Sequence, residues 1–176
     1  PEGLSTDAVT GGVDIVPTVC DLLQVPAMEE ARGVSFREVL EGKQSDYKPY
    51  AFSLFLEDNM AMVSNKKWKY VFMTGKRDLG LEYATGYGPP GITHMLYDLQ
   101  NDPGETTNLA MDEAHQEQVR KMKNALLEWF KYTHPDAENL PDYLTTDGQL
   151  MWFCEPRDVG AEYGGTPLRI LENQRK

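Results

Sequence analysis

Cysteine and histidine are scarce in this chain of 176 residues, which holds two of the former and three of the latter. Cys20 and Cys154 permit at most one bridge, which excludes a disulfide framework and a four-thiolate zinc site and leaves the redox compartment open. His94, His115 and His134 stand about twenty residues apart, with neither C-x-x-C nor H-x-x-x-H, so a zinc site of closely spaced ligands is not expected either. No apolar run approaches the roughly 18 residues that cross a bilayer, and no basic-then-apolar leader opens the chain. Positive charge is also short. Lys and Arg number 17 against 28 Asp and Glu, a net charge of −11. A field of that sign repels phosphate backbones and anionic headgroups, so neither nucleic acid nor a membrane is expected as a partner. G-x-S-x-G, the P-loop and a helix-opening G-x-G-x-x-G are all missing.

What is present is the composition of a folded domain, with 40% hydrophobic, 26% charged and 10% aromatic residues. A chain of this length buries about 70% of its unfolded surface. It begins at Pro1 with a short polar lead and no initiator Met, and is expected to be an excised piece of a longer protein.

The first periodic segment is Val13 to Leu23, where Val16, Val19, Cys20 and Leu23 recur at helical spacing and are expected to face inward. Asp14 is placed to cap that helix, Pro17 falls in its first turn and Pro26 blocks its continuation. Ser35 and Glu38 read as a capping box before a short second helix with Phe36, Val39 and Leu40 inward and Gly42 as its stop. The period then changes to two. Residues 50–56, 60–64 and 67–73 read as antiparallel strands, with Trp68, Tyr70 and Phe72 on one face of the third and Ser64-Asn-Lys66 as the turn before it. Residues 74–94, rich in Gly with Pro89-Pro90, read as a long loop and the best place for ligand contacts. A further strand at 94–99 leads through the turn at 100–105 to the longest helix, Asp112 to Thr133, with Val119, Met122, Leu126, Trp129 and Phe130 on one stripe. The remainder reads as an irregular extension. The fold class expected is α+β: a small antiparallel sheet of about four strands packed by a long helix.

The residues show no catalytic engine of their own. Cys20 lies on an apolar stripe, where a thiol is inert. Cys154, in Trp152-Phe-Cys-Glu-Pro-Arg157, has no histidine close in sequence to activate it. The acidic pairs Glu29-Glu30 and Asp112-Glu113 read as solvated charge.

Two stretches carry a resemblance. Val13-Asp-Ile-Val-Pro-Thr-Val-Cys-Asp-Leu-Leu-Gln-Val-Pro26 resembles the "VDIxPTxxDLxGxP" stretch of sulfatases, and Leu96-Tyr-Asp-Leu-Gln-Asn-Asp-Pro-Gly-Glu-Thr-Thr-Asn-Leu-Ala110 resembles their "LYDLxxDPxExxNLA" signature near the C-terminus. Between them, Arg32 to Lys43 is similar to "GxSLxPLLxGK" and Lys67-Trp-Lys-Tyr70 to the "xxKYI" strand. Gln24 stands where the family often has Gly, and Phe36 where it often has Leu.

The resemblance implies the alkaline phosphatase superfamily, a large α/β catalytic domain followed by a smaller antiparallel-sheet subdomain. Residues 1–46 are then the helical end of the α/β domain, 47–134 the subdomain and 135–176 the extension. It implies hydrolysis of a sulfate ester by a formylglycine made from the Cys or Ser of C-x-P-x-R, with a divalent cation, usually calcium, held by Asp and Asn. No catalytic or metal residue carries over: Cys154-Glu-Pro-Arg157 sets Arg three positions after Cys rather than four. The chain alone is expected to be inactive, its partner being a missing N-terminal catalytic domain and the parent's substrate a sulfated small molecule or glycan. Self-association or an unusually large uncovered hydrophobic patch is expected, and the parent is expected to be exported, periplasmic or extracellular. Such a subdomain borders the pocket mouth, so Lys76, Arg77, Tyr87 and His94 are the candidate substrate contacts, through charge and stacking. The rival readings are an independent binding module and the equivalent piece of a phosphate mono- or diester hydrolase.

Overall fold

The computed structural model describes residues 3–44, 46–55, 60–74 and 92–154. Its elements run α1 (Ile15–Leu23), α2 (Arg37–Leu40), β1 (Ala51–Phe55), β2 (Met60–Ser64), β3 (Trp68–Met73), β4 (Thr93–Asp98), α3 (Gln116–Thr133) and α4 (Thr146–Cys154), with 3-10 turns at Gly12–Asp14, Glu113–His115 and Ala137–Asn139. The four strands form one antiparallel meander in the order β1-β2-β3-β4, the α+β class expected.

The sheet arises from alternation and one turn residue. Asn65 Oδ1 accepts from the amides of Lys67 at 2.9 Å and Trp68 at 2.7 Å, folding β2 back on β3. That fixes the register, with Val63 opposite Tyr70 and Tyr70 opposite Leu96, and puts Ala61, Val63, Tyr70, Phe72 and Leu96 on one buried face. The stripe of α3 lies across that face, burying Val119, Met122, Leu126, Leu127 and Phe130. Each such side chain contributes about 2 kcal/mol relative to staying in water. Trp129 is half-buried and stacks on Phe52, with centroids 4.9 Å apart and planes 2° from parallel. Asp112 caps the turn before α3 by accepting from Ala114 N, so the α-helix proper starts four residues later than expected.

The outer edge of β4 is closed. Asn108 Oδ1 accepts from Leu96 N at 3.0 Å, its Nδ2 donates to His94 O, and Leu109 N donates to Leu96 O at 2.8 Å. One short segment thus stands where a fifth strand would.

Three expectations are corrected. Within 135–176, expected to be irregular, residues 146–154 form α4, which buries Leu150, Met151, Trp152, Phe153 and Cys154 in the same core. Phe153 stacks on Phe130 at 5.1 Å. The apolar stripe of α1 points outward, not in: Val16, Val19 and Leu23 are between 47% and 68% exposed, while Asp14, Pro17 and Thr18 form the buried side and Cys20 is half-buried. The capping box at Ser35 does not form. Ser35 Oγ accepts from Arg37 N and donates to Asp21 Oδ2 at 2.7 Å, and Leu40 is exposed although Val39 is buried. Gly42 does end α2, at φ 72° with its amide on Val39 O.

Candidate functional site

Of the four predicted substrate contacts, Lys76, Arg77 and Tyr87 lie outside the described residues. His94 sits near the start of β4, its ring against Tyr70 and Phe72. Its Nδ1 is 2.8 Å from the Tyr70 hydroxyl, and its Nε2 is 3.5 Å from Asp147 Oδ2 on α4. Asp147 Oδ1 in turn accepts from Lys123 of α3 at 2.7 Å. Burial pushes the Tyr70 hydroxyl well above its ordinary range, so it stays protonated within hydrogen-bond reach of Nδ1. Contact with His94 and then the Lys123 ammonium pull the Asp147 carboxyl down to about 2 against the opposing effect of burial. The network ties β3 and β4 to α3 and α4, with both imidazole nitrogens engaged.

A second cluster, at the seam between the N-terminal segment and the sheet, is only partly legible in the sequence. Asp14 is 1% exposed. Its carboxylate accepts from Gly11 N at 2.8 Å, Val34 N at 3.0 Å, the Tyr47 hydroxyl at 2.7 Å and the Lys48 ammonium. Only the Gly11 bond is of the local capping kind expected, and α1 itself receives no side-chain cap. Burial alone would raise the carboxyl; Lys48, Val34, Tyr47 and Gly11 together outweigh it and hold the group below the usual carboxylate range. Burial first, then Asp14, push the Tyr47 hydroxyl up, so it remains a donor.

Beside Asp14 opens a cleft of about 420 Å³. Its lining includes the aliphatic Val13, Val34 and Pro49 and the aromatic Tyr50, Phe52 and Trp129, with Arg32 and Lys48 as its cations. Arg32 Nη1 donates to the last carbonyls of α3, Tyr132 O at 3.2 Å and Thr133 O, a cation where the helix dipole is negative. Gly33 makes the seam possible: a Cβ there would lie 2.0 Å from Val13 O. No sequence signal marks Tyr47, Lys48, Arg32 and Trp129 as neighbours of Asp14.

The described residues do not fit the sulfatase cofactors. Among them no three His, Cys, Asp or Glu side chains are grouped to hold a metal ion. Burial pushes the Cys154 thiol far above its ordinary range, the opposite of what a nucleophile needs.

Residues 1–131 match the family model described as N-sulphoglucosamine sulphohydrolase, C-terminal. The chain belongs to this family of C-terminal sulfatase domains, in which both resembling stretches fall. It is 28% identical over 129 residues to the Delta 4,5-hexuronate-2-O-sulfatase of Bacteroides thetaiotaomicron, covering 73% of this chain and 25% of that protein. Among solved structures it shares its fold with a 2-O GAG sulfatase (TM-score 0.52, 22% identity, 85% of this chain and 31% of the other). It also shares it with the phosphonate monoester hydrolase of Agrobacterium radiobacter (TM-score 0.51, 22% identity, 74% and 27%). The chain spans between 19% and 30% of the length of the curated relatives it matches.

Proposed function

We propose that this chain is the accessory C-terminal part of a sulfuric ester hydrolase acting on a sulfated glycan or small molecule, inactive by itself and seated on an upstream catalytic domain. The observation that carries the reading is the outward face of α1. Ile15, Val16, Val19, Leu22 and Leu23, with Val13 and Val25 flanking them, are about half exposed or more. An apolar surface of that extent on a small domain marks a contact with another body. The formylglycine and the divalent cation, calcium, belong on this reading to the upstream domain, and the cation supplies Lewis-acid stabilisation of sulfate charge. Lys76, Arg77, Tyr87 and His94 then form a lip that contributes to substrate choice, a role supported by the two cations, Lys76 and Arg77, and the aromatic Tyr87 that precede His94 in the sequence between β3 and β4. The same reading takes the parent as exported, periplasmic or extracellular.

A second reading keeps the architecture and changes the ester. The fold shared with a phosphonate monoester hydrolase does not by itself separate sulfate from phosphorus esters.

The test compares the chain alone with the chain joined to the polypeptide encoded upstream, using 4-nitrophenyl sulfate and 4-nitrophenyl phosphate. The chain alone gives no turnover and self-associates in light scattering; the joined protein cleaves the sulfate and runs as a defined species. Val19→Asp with Leu22→Glu renders the lone chain monomeric without lowering its melting temperature, because exposed positions change stability little. Turnover by the lone chain, or a clean monomer before any substitution, defeats the proposal.

A further inference from the structure

We propose that the cleft between the N-terminal segment and α3 binds a small ring-bearing anion, with Arg32 as its charge anchor; the inference is independent of the catalytic reading above. Three observations lead to it. The first is space. About 420 Å³ lies within the range of small-molecule sites, and the cleft exists because α3 presents Ala125 one turn before Trp129, where a larger side chain would fill it.

The second is the character of the walls. Tyr50 and the stacked pair Phe52 and Trp129 give the lining aromatic surface, and Val13, Val34 and Pro49 add aliphatic surface. Such walls suit a flat ring better than a flexible chain, since a ring stacks without losing internal freedom.

The third is unsatisfied charge. The lining holds one carboxylate and two cations. Asp14 and Lys48 neutralise each other, and the remaining Asp14 contacts are all donors already in place. Nearby Arg37 is engaged by Asp21 and Glu41, and Lys131 by Glu128. Arg32 has no carboxylate partner among the described residues. Its bonds to the α3 carbonyls both use Nη1, so among the described residues Nε and Nη2 keep donors in the fork that matches the oxygens of a sulfate or a carboxylate. In a chain of net charge −11, the described residues leave a local excess of one positive charge in the lining of an apolar slot. The ligand it selects is a single ring carrying one sulfate or carboxylate group.

The test uses the whole chain and phenyl sulfate, with binding read by calorimetric titration and backbone amide shifts. Phenol lacks the charge, methyl sulfate lacks the ring, and glucose 6-sulfate separates a sugar ring from an aryl ring. Expected are one saturable site in the millimolar range, the affinity proper to so small a ligand, and shifts at residues 32–34, 48–50 and 129–133. Phenol and methyl sulfate each bind at least ten-fold more weakly, and the tighter of the two sulfated rings names the ring type. Arg32→Ala weakens binding at least ten-fold and Arg32→Lys by less. Because Arg32 also caps α3, Ala125→Leu serves as the second variant: it fills the slot, leaves the cap intact and abolishes binding at an unchanged melting temperature. Absence of saturation, equal binding of phenol, full binding by Ala125→Leu, or shifts confined to Val16, Val19 and Leu22 each overturns the proposal.

Discussion

Replacing Asp14 by Asn removes one unit of charge at the seam and almost nothing of its shape. The carboxylate serves four donors, from Gly11, Val34, Tyr47 and Lys48. The amide of Asn keeps one accepting oxygen, and its NH₂ group must face a donor it repels. The larger loss is at Lys48, whose side chain is 16% exposed and would lose its counter-charge. One-sided removal of a buried pair costs about 3–5 kcal/mol, and the Lys48 stem allows its head some retreat to water, so about 3 kcal/mol is expected. For a chain of this size that is a fall of about 6–12 °C in melting temperature. Urea denaturation at pH 7 measures it, and a double-mutant cycle with Lys48→Met should return a coupling of about 2 kcal/mol. The pH dependence has a definite sign. The folded pKa of Asp14 is depressed, so its contribution is complete above the unfolded value of about 3.9 and is lost as pH falls through the lower folded value. The gap between native chain and variant therefore stays constant from about pH 5 to 7 and closes below about pH 4. A gap under about 0.5 kcal/mol, or one that widens on acidification, would refute the reasoning.

Gly33→Ala should cost about 2–3 kcal/mol, because the added Cβ meets backbone at 2.0 and 2.5 Å rather than a yielding side chain; loss of hydrogen-exchange protection at Val34 N, which donates to Asp14, localises the damage. Gln24→Gly should stabilise by about 0.5–1 kcal/mol in the same urea assay, since Gln24 closes α1 at φ 56° where an L side chain is strained, while Gln24→Ala leaves the strain and changes little.

The Gln24 strain also shows how far a linear reading reaches. Gln24 stands where the sulfatase stretch that residues 13–26 resemble has a glycine, and its left-handed conformation is one that glycine adopts without strain. The meander and α3 are legible because both partners of each contact lie in this chain: alternation in β3 and the 3.6-residue stripe of α3 record surfaces that meet each other. The stripe of α1 is equally clear, yet it records only that a face is apolar, not what covers it, and so an inward direction is the wrong inference from it. Residues 146–154 show no stripe at all, since Leu150 to Cys154 are buried on every side and a period test finds nothing to alternate. Asp14 reads as a local cap because sequence displays only near neighbours. Three of its four donors come from 20 to 34 residues away. The cleft draws its walls from positions 11 to 133 and has no linear signature.

The Asn108 closure of β4 limits how copies of this sheet can join. A meander has two free margins, and here an amide side chain already satisfies one of them, while among the described residues nothing pairs with the far side of β1. Two molecules could zip together through β1, but a third would find no strand left to extend. Among the described strands, pairing through backbone edges therefore stops at two copies, and fibrous growth by that route is blocked after the first pairing.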